Sequence, residues 1–256
     1  GNHMKKIEGL SVLVTGGGSG IGAATAKYFV EQGALVTICG QREEKIQKVA
    51  SDLGAQCLGL VANVKIAADR ERCIEQALAH GGKLDVLINN AANMLRGAIT
   101  ELNEAELLDI FHNNVISGMM LTGLAVPYLE KTKGGVVFIG SVHTRRAFPG
   151  ASPYAATKGA VEALTKVLAA ELGAKKIRVN CVVPGAVPTE LNIRAGLFTE
   201  EQHAARMDTI APFHVLQRVG TPEEIAEAID YLIRAEWTSG TSIVVDGGLS
   251  LGMAPF

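Results

Sequence analysis

Apolar residues in this chain follow two rhythms that alternate from one end to the other. Short, nearly continuous apolar runs occupy residues 10–15, 35–39, 57–61, 86–89, 136–140, 179–183 and 242–245. Between them, apolar positions recur every three or four residues over 21–31, 43–53, 67–79, 104–129, 154–172 and 222–232. The first rhythm predicts strands buried on both faces; the second predicts amphipathic helices. Their alternation predicts βαβ units, and hence a parallel, seven-stranded sheet with helices on both faces. Right-handed crossovers make a single doubly wound, Rossmann-like α/β domain the natural closure, spanning residues 4–256. The least regular stretch, about 188–216, mixes short apolar pieces with charge, as a substrate loop or lid does. Gly1-Asn2-His3 reads as an expression-tag remnant ahead of Met4 and is left out of the fold.

Composition narrows the partners. The net charge of −2 supplies no basic field for nucleic acid or an anionic membrane. No apolar run approaches the ~20 residues needed to span a bilayer. The cysteines, Cys39, Cys57, Cys73 and Cys181, form no CxxC pair, so no metal site is expected. With reduced thiols and no signal peptide after Met4, the expected compartment is the cytoplasm.

Candidate chemistry begins at Gly16-Gly17-Gly18-Ser19-Gly20-Ile21-Gly22, which joins the first strand to the first helix. Glycines let backbone approach a phosphate closely, and the free N–H groups at the helix start attract a pyrophosphate. Gly16, Ser19, Gly20, Ile21 and Gly22 are therefore expected at a dinucleotide. The end of the second strand normally decides which one. A carboxylate there selects NAD, whereas a nearby arginine accommodates the NADP 2′-phosphate. Here Gly40 stands at the acidic position and is followed by Gln41 and Arg42, which favours NADP over NAD.

The spacing of Gly16, Gly20 and Gly22 resembles the TGxxxGxG motif of the short-chain dehydrogenase/reductase family, and the resemblance runs over essentially the whole chain. Asn89-Asn90-Ala91-Ala92 resembles that family's NNAG, with Ala92 in place of glycine. Tyr154-Ala155-Ala156-Thr157-Lys158 matches its YxxxK, with Ser141 thirteen residues earlier. Pro184, Gly185, Val187 and Thr189 resemble its PGxVxT segment beside the nicotinamide. The resemblance further implies that Asn63 and Val64 contact the adenine and that Asn90 and Ala91 line the cofactor. It also implies that Asn114, with Asn113 as runner-up, supports a proton relay to the lysine.

The reaction implied is hydride transfer between cofactor and a ketone or secondary alcohol. Tyr154 would be the acid/base, and its pKa of ~10 needs lowering by a nearby cation. Lys158 lies four residues on and shares a helix face with it. Ser141, at the carboxyl end of the fifth strand, would hold the substrate oxygen. Around the substrate, Met94, Arg96, His143, Arg146, Leu191 and Arg194 are expected, with His203 and Arg206 in the same segments. This basic balance admits an anionic small-molecule substrate. His143 would bond to the substrate or narrow the pocket. A cofactor-binding regulator without turnover is the competing class of function. Helices 104–129 and 154–172 carry apolar residues on more than one face, so a homotetramer is expected.

Overall fold

A computed structural model describes residues 4–252; the segment read as a tag remnant lies outside the described residues. Seven strands form one sheet: β1 (Ser11–Thr15), β2 (Leu35–Gly40), β3 (Cys57–Val61), β4 (Val86–Asn89), β5 (Gly135–Ile139), β6 (Arg178–Pro184) and β7 (Ser242–Val245). Their order is β3-β2-β1-β4-β5-β6-β7, and all neighbours pair in parallel. The predicted doubly wound sheet is thus the observed one. The chain reverses its direction of travel between β1 and β4, so a crevice opens beyond their carboxyl ends.

Side chains alternate along each strand, and in the central strands both sets are buried. Val12, Val14, Ile38, Val137 and Val182 join a core layer on one face; Leu13, Cys39, Val136, Phe138 and Cys181 join the layer on the other. This is why the strands read as unbroken apolar runs. The first layer is closed by α1 (Gly20–Glu31) through Phe29 and by the last long helix, Pro222–Arg234, through Ile225 and Ile229. Thr221 and Glu224 cap that last helix reciprocally, with Pro222 in its first turn. The second layer is closed by α3 (Ala67–Gly81), by the helix over Ser117–Thr132 and by the helix over Ser152–Leu172. Helix α2 (Glu43–Leu53) packs Ile46 into the first layer. No helix among the described residues is long and apolar enough to cross a membrane.

Two expectations about helices change. The single helix expected over 104–129 is divided into α4 (Glu104–Phe111) and α5 (Ser117–Thr132) by a wide, π-helical turn at His112–Ile116. That turn buries both Asn113 and Asn114. Such turns insert an extra residue into a helix and recur at functional sites. After α6 (Ser152–Leu172), the stretch expected as irregular contains α7 (Leu191–Arg194) and α8 (Glu200–Ile210). Helix α8 has its own capping box, Thr199 with Gln202. The Pro222–Arg234 helix is α9.

Candidate active site

A cavity of about 360 Å³ runs along the carboxyl ends of β1, β2, β4, β5 and β6. Its floor at one end is the glycine loop. Gly16 and Gly20 adopt positive φ, of 64° and 53°. A Cβ on Gly22 would run into the Gly16 carbonyl oxygen, so the turn closes on itself only without side chains. Helix α1 starts directly at this loop; its N-cap, Ser19, makes no capping bond, and its first turn carries no acid. Those free N–H groups and the positive helix end suit a pyrophosphate. The cradle therefore fits the dinucleotide that the glycines imply. Asn90 fixes the loop from the side, donating through Nδ2 to the Thr15 and Gly16 carbonyls at 3.2 and 3.1 Å.

Cofactor-side expectations fall mostly on this wall. Gly16, Ser19, Gly20, Ile21, Gln41, Arg42, Val64, Asn90, Ala91, Pro184, Gly185, Val187 and Thr189 all line the cavity. Gly22 lies beneath the loop. Asn63 lies off the wall: its Oδ1 accepts from Lys65 N at 3.0 Å, and its own N–H donates to Asp69 at 2.7 Å. Lys45 and Glu190 also stand on this wall, where the sequence motifs do not place them. Glu190 accepts from Arg42 at 2.7 Å and from Lys45 at 3.2 Å, and these contacts hold its carboxyl below the usual range. A lysine one helical turn past Arg42 was the available signal for the first; only folding brings Glu190 to them.

At the other end, Ser141 stands just past β5, and Tyr154 and Lys158 stand in the first turns of α6. All three are buried and line the cavity. The Lys158 ammonium lies 5.5 Å from the Tyr154 ring centroid and donates to the Ile139 carbonyl at 2.8 Å. The expected lowering of the phenol by this lysine does not occur. Burial pushes Tyr154 up to about 12, against smaller downward pulls from the Ser141 hydroxyl and the Arg96 charge. Burial also draws Lys158 down to about 8. Desolvation disfavours either charged form, and it is the largest influence on both groups.

Ser141 has a close neighbour that the sequence placed only as a substrate contact. Its Oγ lies 2.7 Å from His143 Nδ1 and accepts from the His143 backbone N–H at 3.2 Å. The imidazole packs against the Tyr154 and Phe148 rings, with centroids 5.1 and 4.7 Å away. Burial and the Arg96, Arg206 and Lys158 charges drive its pKa to about 4, so it is neutral.

Asn114 does not reach the cavity. It is fully engaged in bonding Asn93 N and O, the Asn113 amide and the Thr157 hydroxyl. It shares with Lys158 a separate small cavity of about 10 Å³ under the wide turn. Asn113 faces the main cavity. Of the expected substrate residues, Met94, Arg96, His143, Leu191 and Arg194 line it. Arg146 does not; its guanidinium donates to the Leu249 carbonyl at 2.8 Å and lies over the Phe213 ring. No group of three potential metal ligands occurs among the described residues.

A family model described as enoyl-(acyl carrier protein) reductase matches residues 16–250, so it spans both the glycine loop and the Ser141, Tyr154, Lys158 group. The chain belongs to the short-chain dehydrogenase/reductase family. It is 34% identical over 253 residues to pig dehydrogenase/reductase SDR family member 4, covering 96% of this chain and 89% of that one. It is 36% identical over 250 residues to bovine L-fucose dehydrogenase, covering 96% and 92%. A Caenorhabditis elegans short-chain dehydrogenase/reductase of unknown function, solved with cofactor, superposes with a TM-score of 0.91 at 29% identity, over 97% and 98% of the two chains. As a short-chain dehydrogenase/reductase, this chain is an NAD(P)-dependent oxidoreductase.

Proposed function

We propose that this enzyme interconverts a ketone and a secondary alcohol on a small molecule, with Tyr154 as the acid/base. The observation that carries this reading is the convergence of the Ser141 hydroxyl, the Tyr154 phenol and the Lys158 ammonium on one wall of the cavity. The chemistry supplied by the nicotinamide cofactor is hydride transfer to or from carbon. Ser141 donates to the substrate oxygen and orients it towards Tyr154. It can do so when His143 carries its proton on Nδ1, because His143 then donates to Ser141 Oγ and leaves the hydroxyl proton free. Tyr154 is protonated at neutral pH, which is the form a carbonyl reduction needs. Lys158 stabilises the phenolate left behind, and Asn114 holds the small cavity behind Lys158 through which a proton returns.

The reading of the cofactor as NADP rather than NAD rests on Arg42 and Lys45 at the cavity edge, and on Gly40, where a side chain would press on Ile46. A 2′-phosphate would compete there with Glu190. The homotetramer expected from the sequence is supported by two separate apolar faces. Ile116, Met119, Met120, Leu124 and Val167 are exposed along the wide turn, α5 and α6, and Tyr231, Trp237 and Val244 are exposed near β7. Four free, buried cysteines accord with the cytoplasm.

The test is consumption of reduced cofactor by the purified protein across a panel of ketones, with unsaturated thioesters alongside. Turnover of ketones is expected. Turnover of thioesters alone would reject the reading, and so would binding of cofactor without any turnover. Arg42→Ala should weaken NADP by about 10-fold or more while sparing NAD; equal effects on both would reject the cofactor assignment.

A further inference from the structure

The substrate end of the cavity differs from the rest of the protein in how its charges are paired. Among the described residues, every arginine but two donates to a carboxylate or a backbone carbonyl. The exceptions are Arg96 and Arg206. Arg96 reaches only the Asn192 amide oxygen, at a long 3.4 Å. Arg206 has only the face of the Phe198 ring, 5.1 Å from its guanidinium carbon. Both line the cavity, together with His203, three residues before Arg206 on α8. His203 is 7% exposed, yet neither ring nitrogen has a hydrogen-bond partner. Leaving such a group unpaired is unfavourable by about 1–3 kcal/mol, so a ligand that satisfies it is favoured.

Among the described residues, no free acid on the wall neutralises this end: the only lining carboxylate is Glu190, already committed to Arg42 and Lys45. Arg194 belongs to that same end: it feels the charges of Arg42 and Glu190 and donates to the Ala92 carbonyl. Arg96 and Arg206 instead act on each other and on His143, and Arg96 acts on Tyr154 as well. The unpaired positive charge therefore sits beside the reacting group. Met94, Leu191, Met207, Ile210 and Leu249 supply apolar wall around it.

We propose that the substrate is a small oxo or hydroxy acid whose carboxylate is held by Arg96, Arg206 and His203. This rests on the carbonyl/alcohol reading above and narrows it to one substrate class. Guanidinium groups match a carboxylate in shape as well as charge, and a neutral imidazole adds one N–H donor in either tautomer. The apolar wall takes the carbon skeleton, and the proximity of Arg96 to Tyr154 puts the carboxylate close to the reacting carbon.

The test measures steady-state reduction of acetoacetate and levulinate against their methyl esters, in wild type and in Arg96→Gln and Arg206→Gln. Thermal unfolding checks that the variants are folded. The acids should be preferred in kcat/KM by about 10-fold or more. In both variants that ratio should fall towards unity, with the loss carried by KM. Esters used as well as acids, or an acid preference untouched by both substitutions, would overturn the proposal. If no carbonyl compound is turned over, the carbonyl/alcohol reading fails, and the carboxylate site is judged by calorimetry on the cofactor-loaded protein. Benzoate should then bind more tightly than benzamide, and Arg206→Gln should abolish the difference; equal binding, or no benzoate binding, sinks the site.

Discussion

The two ends of the cavity are built by opposite means. At the dinucleotide end, backbone does the shaping: strand termini, a loop of glycines and a helix start meet at contacts too close for a Cβ. Side chains there are already committed, as with Asn90 on the glycine loop and Glu190 on Arg42 and Lys45, and the open donors are backbone N–H groups at the start of α1. At the substrate end, long side chains from the segment after β4, from the turn after β5 and from α8 converge, and several polar atoms are left without partners. One end thus meets its ligand with backbone, while the other meets it with side chains that lack partners.

The largest effect is expected where the two ends meet. Tyr154→Phe should lower kcat by about 10²–10⁴-fold while cofactor affinity stays near wild type. A variant that kept its rate would move the chemistry to another group. Next comes the backbone-built end. Gly22→Ala should weaken the cofactor by about 10–100-fold and lower the melting temperature, because the new methyl has no room beside Gly16 and Asn90. Unchanged affinity in a cofactor titration would mean the loop is more yielding than its packing implies.

Lys158 gives a smaller effect, read in stability against pH. Its folded pKa of about 8 lies below the ordinary 10.5. Between these values the unfolded chain holds more protons, so stability rises with pH; below pH 8 the burial penalty is fully present. Lys158→Met should therefore stabilise the protein near neutrality by about 1–3 kcal/mol and flatten that rise. Tyr154 works the other way above pH 10, where the unfolded phenol ionises and the buried one does not. Urea midpoints across pH 7–10 check this, and a Lys158→Met protein with the wild-type slope would contradict it. Smallest is Glu190→Gln, which removes a half-exposed competitor for the 2′-phosphate. NADP affinity should rise about 2–5-fold with NAD little changed; a fall would mean that the carboxylate helps to hold the cofactor.

The same division explains what could be read from the sequence. Burial on both faces writes β1 to β7 as apolar runs, and a close approach of backbone writes the loop as Gly16, Gly20 and Gly22. Tyr154 and Lys158 were legible because one helical turn separates them. Glu190 was not, since its partners Arg42 and Lys45 lie far away in the chain. The burial of His203 and the pairing of His143 with Ser141 depend on how α8 and the turn after β5 come to rest, which no local period records. The wide turn at His112–Ile116 was hidden for another reason. Its residues keep a helical pattern, and only the tertiary setting adds the extra residue to the coil.

That turn also carries a lesson about how the enzyme could be silenced. In a regular α-helix, successive side chains point about 100° apart, which sets neighbouring residues on different faces. The looser coil lets two adjacent asparagines face inward together, both on the small cavity and Asn113 on the main one as well. Deleting a single residue from it would let α4 and α5 run on as one ordinary helix over an undisturbed sheet. The product is expected to be a folded protein without the scaffold behind its lysine, and loss of turnover with an unchanged melting temperature would tie this turn to activity rather than to stability.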